Sequence, residues 1–262
     1  EVLSGRAQYI AHLCQGEPFY LDVVTKKLKQ VCLERGKTLV DDNLVADAVS
    51  GAVFEPRGEI CQHFLSLTQP MLGMEAGDAS ACLSIISSIC NGESKMSDLP
   101  RLLNRPVKEL KAPVRRLIEL GIAVKNGPFL KIPSRLFRLY LKFTYQAQQG
   151  MLSSEPQVKA ETLRMELKHD FENFLREGKR DWRERLESFL KAFRNDRVEI
   201  EGKGCQMPHF HEVECRKVGE GYRFLARGSH LALPHTPAIE FSLYIGLFQS
   251  KTGRAAIHHD PD

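Results

Sequence analysis

The sequence predicts a mainly α chain with an α+β tail: a helical bundle, a small helix-and-hairpin domain, and a small α/β C-terminal domain. Three observations carry this. Apolar residues recur at helical spacing through most of the first 145 positions. Asn126-Gly127 stands between apolar runs after three helical segments, a strong short-range hairpin signal. After Asn195 the pattern changes to short β-rich runs separated by glycines.

The elements follow in order. Leu3, Ala7, Ile10, Ala11 and Cys14 mark a first helix that Gly16 stops. Pro18 stands where a first helical turn accepts it, and Phe19, Val23, Val24, Leu28 and Val31 carry a second helix to near Gly36. Asp41 or Asp42 caps a third helix through Val45, Ala48 and Val49, and Ile60, Phe64 and Leu65 mark a fourth. Residues 1–72 are therefore a bundle with short connections. Residues 79–92 form a helix closed by Asn91-Gly92. Ser97-Asp98 caps a short helix through Leu99, Leu102 and Leu103. A longer helix runs from Pro106 to Leu120 and ends at Gly121, with the hairpin of residues 122–132 behind it. Helix, short helix, longer helix, β-hairpin is the winged-helix order. With the apolar helix of Leu136, Phe137, Tyr140, Leu141 and Phe143 it makes a domain over 79–145. Polar residues 146–156 form a linker, and residues 157–262 are the α/β tail. Its helices cover 157–194, and Val198–Ile200, Phe210–Val213 and Tyr222–Leu225 are strands. From Gly228 the pattern fades, and His230, Pro234, His235, Pro237 and the last five residues read as a poorly ordered terminus.

Composition narrows the function classes. A chain of 262 residues holds roughly two or three small domains with real cores. Hydrophobic content of 42% and charged content of 27% argue against wholesale disorder. A net charge of +4 does not mark a dedicated nucleic-acid binder, so any basic surface must be local. The seven cysteines are odd in number and scattered, several within apolar patterns (Cys14, Cys32, Cys82, Cys90), which points to reduced thiols and a cytoplasmic location. No signal peptide or transmembrane-length run is visible, so no membrane association is expected. The start at Glu1 suggests a piece of a longer protein.

The basic face of the 106–120 helix is the main candidate site. Leu110, Val114, Leu117 and Ile118 share one face, while Lys108, Lys111, Arg115 and Arg116 project away from it. Lys125 and Lys131 add the same sign on the hairpin. Such an array suits DNA phosphates met by a recognition helix and wing. The competing reading is a solvated helix face, with Glu109 and Glu119 diluting the charge. Pro113 removes a helical hydrogen bond, so it implies a kink or a late helix start.

Two other constellations are set aside. Cys205, His209, His211 and Cys215 form C-x3-H-x-H-x3-C, but this spacing matches no standard finger and the residues read as strand, so no metal is expected. Asp196, Glu201 and Lys203 mimic the D…(E/D)-x-K set of a magnesium nuclease. The short gap and the flanking Gly202 and Gly204 suggest a turn instead, and no catalytic residue is assigned.

Gly16-Glu17-Pro18-Phe19-Tyr20-Leu21 resembles the G-N-P-x-Y-L segment in the lid of prokaryotic STAND-type AAA+ ATPases of the archaeal ATPase group. Residues 121–132 are similar to that family's G-I-V-x-K-x-G-x-Y-x-I hairpin, and Ser134–Leu141 resembles its D-x-x-F-R-F-W-L helix. Residues 160–227 resemble, in outline, the start of the restriction-endonuclease-like domain that many members carry. The resemblance implies that residues 1–72 are a lid, with Gly16 and Pro18 facing a nucleotide; Glu17 departs from the usual Asn. It implies a regulatory C-terminal region whose winged helix couples nucleotide state to a protein partner or DNA. No cofactor is expected in this chain; ATP and magnesium would bind a missing upstream nucleotide-binding domain. The alternatives are a divergent or incomplete nuclease of the PD-(D/E)xK type and a free-standing winged-helix DNA-binding regulator. The sequence has no G-x-x-x-x-G-K-[ST], and hydrolysis by a P-loop ATPase needs that backbone nest and lysine. Purified chain incubated with ATP and magnesium should release phosphate no faster than an enzyme-free blank.

Overall fold

The computed structural model describes residues 2–92, 95–148, 156–200, 203–219, 221–229, 239–249 and 255–258. The chain is mostly helical with small antiparallel sheets. It divides into two compact units, Glu1–Gly178 and Lys179–Asp262.

The first unit opens with α1 (Val2–Leu13) and α2 (Pro18–Glu34). Gln15 and Gly16 between them adopt φ of 54° and 73°, and Pro18 starts α2 without losing a bond that would otherwise form. α3 (Asp42–Phe54) is capped by Asp41, whose Oδ1 accepts from the Leu44 N–H at 2.8 Å. After α4 (Glu59–Thr68) and a 3₁₀ turn come α5 (Ala76–Cys90), α6 (Leu99–Leu102) and α7 (Val107–Glu119). The hairpin strands β1 (Val124–Asn126) and β2 (Phe129–Lys131) follow, then α8 (Arg135–Gln148) and α9 (Pro156–Lys179).

α8 joins these parts. Leu136, Phe137, Leu139, Tyr140, Leu141 and Phe143 are all buried, so the helix is apolar over most of its circumference, as a helix covered on several sides must be. Its Phe137 and Tyr140 rings meet Phe64 of α4 at 4.9 and 5.4 Å, and Phe143 meets Phe54 of α3 at 6.0 Å. α5 packs against it as well, with Cys90 Sγ 3.7 Å from the Arg138 carbonyl. One continuous core thus runs from Tyr9 through Phe64, Ile86, Leu117 and Leu130 to Leu167.

α9 belongs to this unit. The Tyr9 hydroxyl donates to the Leu167 carbonyl (3.0 Å) and to Asp170 (3.1 Å), and its ring packs on Phe171. Asp47 of α3 accepts from Arg164 at 2.8 Å and also pairs with Arg35. The sequence predicts a tail from 157, whereas the compact units divide after Gly178, because Leu163, Leu167, Phe171 and Phe174 find their apolar cover on the bundle. Of the expected linker 146–156, residues 146–148 end α8, Pro156 starts α9, and 149–155 lie outside the described residues.

Two local expectations also change. The hairpin register pairs Asn126 with Phe129, so the turn residues are Gly127 and Pro128 rather than Asn126 and Gly127. Only Gly127 has positive φ (58°), and proline fixes a negative φ after it, which is the type II′ arrangement and not type I′. α7 begins at Val107 and passes through Pro113, whose ring is buried in place of the expected Ile118. Proline forfeits one backbone bond there, and the burial of its ring offsets part of that cost.

In the second unit α10 (Trp182–Lys191) precedes a hairpin of β3 (Asp196–Ile200) and β4 (Lys203–Met207). A four-stranded antiparallel sheet follows in chain order: β5 (His209–Val218), β6 (Gly221–Ser229), β7 (Ile239–Gln249) and β8 (Ala255–His258). Its core joins Leu190 and Phe193 to Phe210, Val213, Phe224, Ala226 and Ile245, with Trp182 edge-on to Tyr222. A bulge at His211 lets Phe210 and Val213, three residues apart, both face that core. The terminus expected to be poorly ordered contains β7 and β8. The long reach from β6 to β7 hid their pairing, which is a tertiary property. His230, Pro234, His235, Pro237 and residues 259–262 lie outside the described residues.

Replacing Gly127 by Val forces a β-branched residue into the left-handed region and should cost on the order of 1–3 kcal/mol. A denaturant melt should show the lower midpoint; a midpoint equal to the parent would contradict the turn geometry.

Candidate nucleic-acid interface

α7 presents two unlike faces. Leu110, Pro113, Val114 and Leu117 are buried against α5, where Cys82 Sγ lies 3.9 Å from the Pro113 carbonyl. Lys108, Lys111, Arg115 and Arg116 are all exposed. Lys108, Lys111 and Arg115 follow one another at intervals of three and four residues, so they form a single stripe. Arg116 lies about 100° round the helix from Arg115.

The stripe is not uniform. Arg115 lies 3.5 Å and Arg116 3.8 Å from Glu119. Both arginines also border a groove of about 360 Å³ that Glu75 and Asp78 of the α5 start share. Exposed ion pairs are worth roughly 0–1 kcal/mol, so these arginines remain free to exchange partners. Lys108 and Lys111 have no ion-pair partner among the described residues. Lys108 and Lys111 are thus the cations of α7 outside an ion pair, with Glu109 between them in sequence.

On the hairpin, Lys125 and Lys131 are exposed. Register pairs Lys125 with Leu130 and Val124 with Lys131, so the two lysines lie on opposite faces of the ribbon. They do not extend one surface together, as their shared sign had suggested. The segment before α6 also touches the hairpin: Lys95 forms an isolated bridge to Phe129, and the Met96 N–H donates to the Pro128 carbonyl at 2.9 Å.

Gly16 and Pro18 are exposed at the α1–α2 turn. The Arg135 N–H at the start of α8 donates to Gln15 Oε1 at 3.2 Å, which ties this turn to the helix that follows the hairpin.

The nuclease-like set does not assemble. Asp196 pairs with Met207 and Ile200 with Lys203, so Asp196 and Lys203 stand at opposite ends of the β3–β4 ladder, about 14 Å apart along the strand. Asp196 is buried and accepts from the Arg194 N–H at 2.7 Å, a turn-stabilising bond. Glu201 lies outside the described residues. The Cys/His set is equally spread: His209 Nδ1 is 3.1 Å from the Phe193 carbonyl, His211 sits at the bulge, and Cys215 lies six residues along the strand from His209. Among the described residues no three His, Cys, Asp or Glu side chains gather as metal ligands. No helix among them is long and apolar enough to cross a membrane.

Sequence reasoning missed the polar stripe of α8. Arg135, Arg138 and Lys142 line a pocket with Glu166 and Asp170 of α9. Their three-then-four spacing within an otherwise apolar helix was the available signal.

Comparison with family models, curated proteins and solved structures gives no match for this chain.

Burial separates the thiols: it pushes Cys90 up to about 12 and Cys14 up to about 11, whereas Cys215 is exposed. A disulfide reagent at pH 8 should label Cys215 in the native chain and reach Cys14 and Cys90 only after unfolding. Rapid native labelling of Cys90, read by peptide mass, would contradict its packing under α8.

Proposed function

We propose that residues 79–145 are a winged-helix domain and that the chain is the regulatory C-terminal region of a STAND-type ATPase. In this reading the bundle of residues 1–72 is a lid that senses nucleotide state in an upstream domain. The winged helix passes that state to DNA, which it holds by its phosphates. The observation that carries the proposal is the single core that α8 builds between α3, α4 and α5: a shift of the bundle cannot leave the helix-and-hairpin domain behind. The order α5–α6–α7–β1–β2, with Lys95 bridging the hairpin, supports the winged-helix assignment. The Gln15 bond to α8 supports a link from the Gly16–Pro18 turn to that domain.

Phosphate contact is favoured over base readout. The exposed side chains of α7 that carry hydrogen-bonding groups are lysines, arginines and glutamates, with no Asn or Gln to pair with adenine. Four cations against two carboxylates leave α7 modestly positive, so binding is weak, salt-sensitive and tolerant of sequence. A second reading has one specific observation behind it. The groove beside Arg115 and Arg116 carries Glu75 and Asp78, which would repel a phosphate and suit a basic protein segment.

Duplex affinity across a salt series tests the two. The variant Lys108→Ala, Lys111→Ala, Arg115→Ala should bind more weakly, and its salt slope should fall by about one unit for each lost contact. Unchanged affinity and slope in a folded triple variant would overturn the DNA reading and leave the protein-docking one.

A further inference from the structure

The polar stripe of α8 is an unusual feature in a helix that otherwise exists to be buried. Arg135, Arg138 and Lys142 point away from the core contacts of Phe137, Leu141 and Phe143 and line a pocket whose opposite wall is α9. The carboxylates on that wall are already engaged. Glu166 accepts from Lys142 Nζ through both oxygens, at 2.6 and 2.7 Å, and Asp170 accepts from the Tyr9 hydroxyl at 3.1 Å. Neither guanidinium has a hydrogen-bond or ion-pair partner among the described residues, although both residues are half-buried. Three cations therefore face two carboxylates, and the two arginines hold the excess.

We propose that this pocket is an oxyanion site that takes a phosphate-sized group between Arg135 and Arg138. Planar guanidinium forks match the oxygens of a phosphate, and partly dehydrated cations gain most from such a partner. The positions fit: Arg135 is the first residue of a 14-residue helix and Arg138 lies in its first turn, where the helix dipole favours an anion. The ligand class is inorganic phosphate or the phosphate of a small phosphomonoester. The site lies within the first unit and does not depend on the DNA reading.

The test is a melt of the whole chain against inorganic phosphate at constant ionic strength, with chloride as the reference and AMP as a second arm. The protein should gain stability along a saturable curve, since a ligand that binds only the folded state raises the midpoint. Arg138→Gln, whose side chain has no partner to lose, should weaken phosphate binding roughly tenfold or more, the worth of a charge-assisted bond. Arg135→Gln with Arg138→Gln should abolish it, and Lys29→Gln, at an exposed position of α2, should leave it intact. Tighter binding of AMP than of phosphate assigns the site to a phosphomonoester; equal or weaker binding assigns it to free phosphate. No saturable gain with phosphate, or an Arg138→Gln curve equal to the parent, overturns the proposal.

Discussion

The two-sided burial of α8 is the constraint on which the first unit depends. A helix in water needs only one apolar stripe, and its other side stays polar. α8 instead covers Leu136, Phe137, Tyr140, Leu141 and Phe143 almost completely, so it must be met from several directions at once. The bundle supplies Phe54 and Phe64, and α5 supplies the neighbourhood of Cys90. Removing a buried phenylalanine of this kind typically costs about 3–5 kcal/mol, a large part of a domain's net stability. Bundle and helix-and-hairpin domain thus share one core, closed by the side chains of α8.

That packing leaves only a narrow polar sector on α8, and α9 closes over it. The ion pair of Lys142 with Glu166 and the bond from Tyr9 to Asp170 hold α9 in place, while Arg135 and Arg138 remain with charge to spare. α7 shows the opposite economy. It buries one stripe, leaves its cations in solvent, and compensates the C-terminal pair with Glu119. The two cationic sets therefore differ in kind. Those on α7 are screened by water and salt and suit a long polyanion. Those on α8 are few, half-buried and convergent, and suit one compact anion.

The second unit solves a different problem. Its sheet needs one face toward α10, and strict alternation along β5 would place Phe210 and Val213 on opposite sides. The extra residue at His211 resets the alternation, so both side chains reach the core with Phe224 and Ala226. The same bulge, and the spread of five residues along β3 and β4, separate the residues that look clustered in sequence. Asp196 stands at the open end of the β3–β4 hairpin and Lys203 at its turn, while His209, His211 and Cys215 run along one extended strand, so neither set converges.

The sequence by itself determined what local chemistry controls. Gly16 and Pro18 stop one helix and start the next, Asp41 caps α3, and Gly92 and Gly121 take the positive φ that ends α5 and α7. The exposed cations of α7 were legible for the same reason, since helical periodicity separates a buried face from a wet one within a few residues. Only the tertiary structure decided which helix covers which. It moved α9 from the tail to the bundle, turned Lys125 and Lys131 to opposite faces, shifted the hairpin turn to Gly127 and Pro128, and paired β7 and β8 with β6. It also converged Arg135, Arg138 and Lys142 on a pocket with α9. The physical reason is range. Caps, turns and periodicity act over one or two helical turns and are written in adjacent residues, whereas the pairing of apolar faces and of strands joins residues far apart in the chain and is settled only when the core closes.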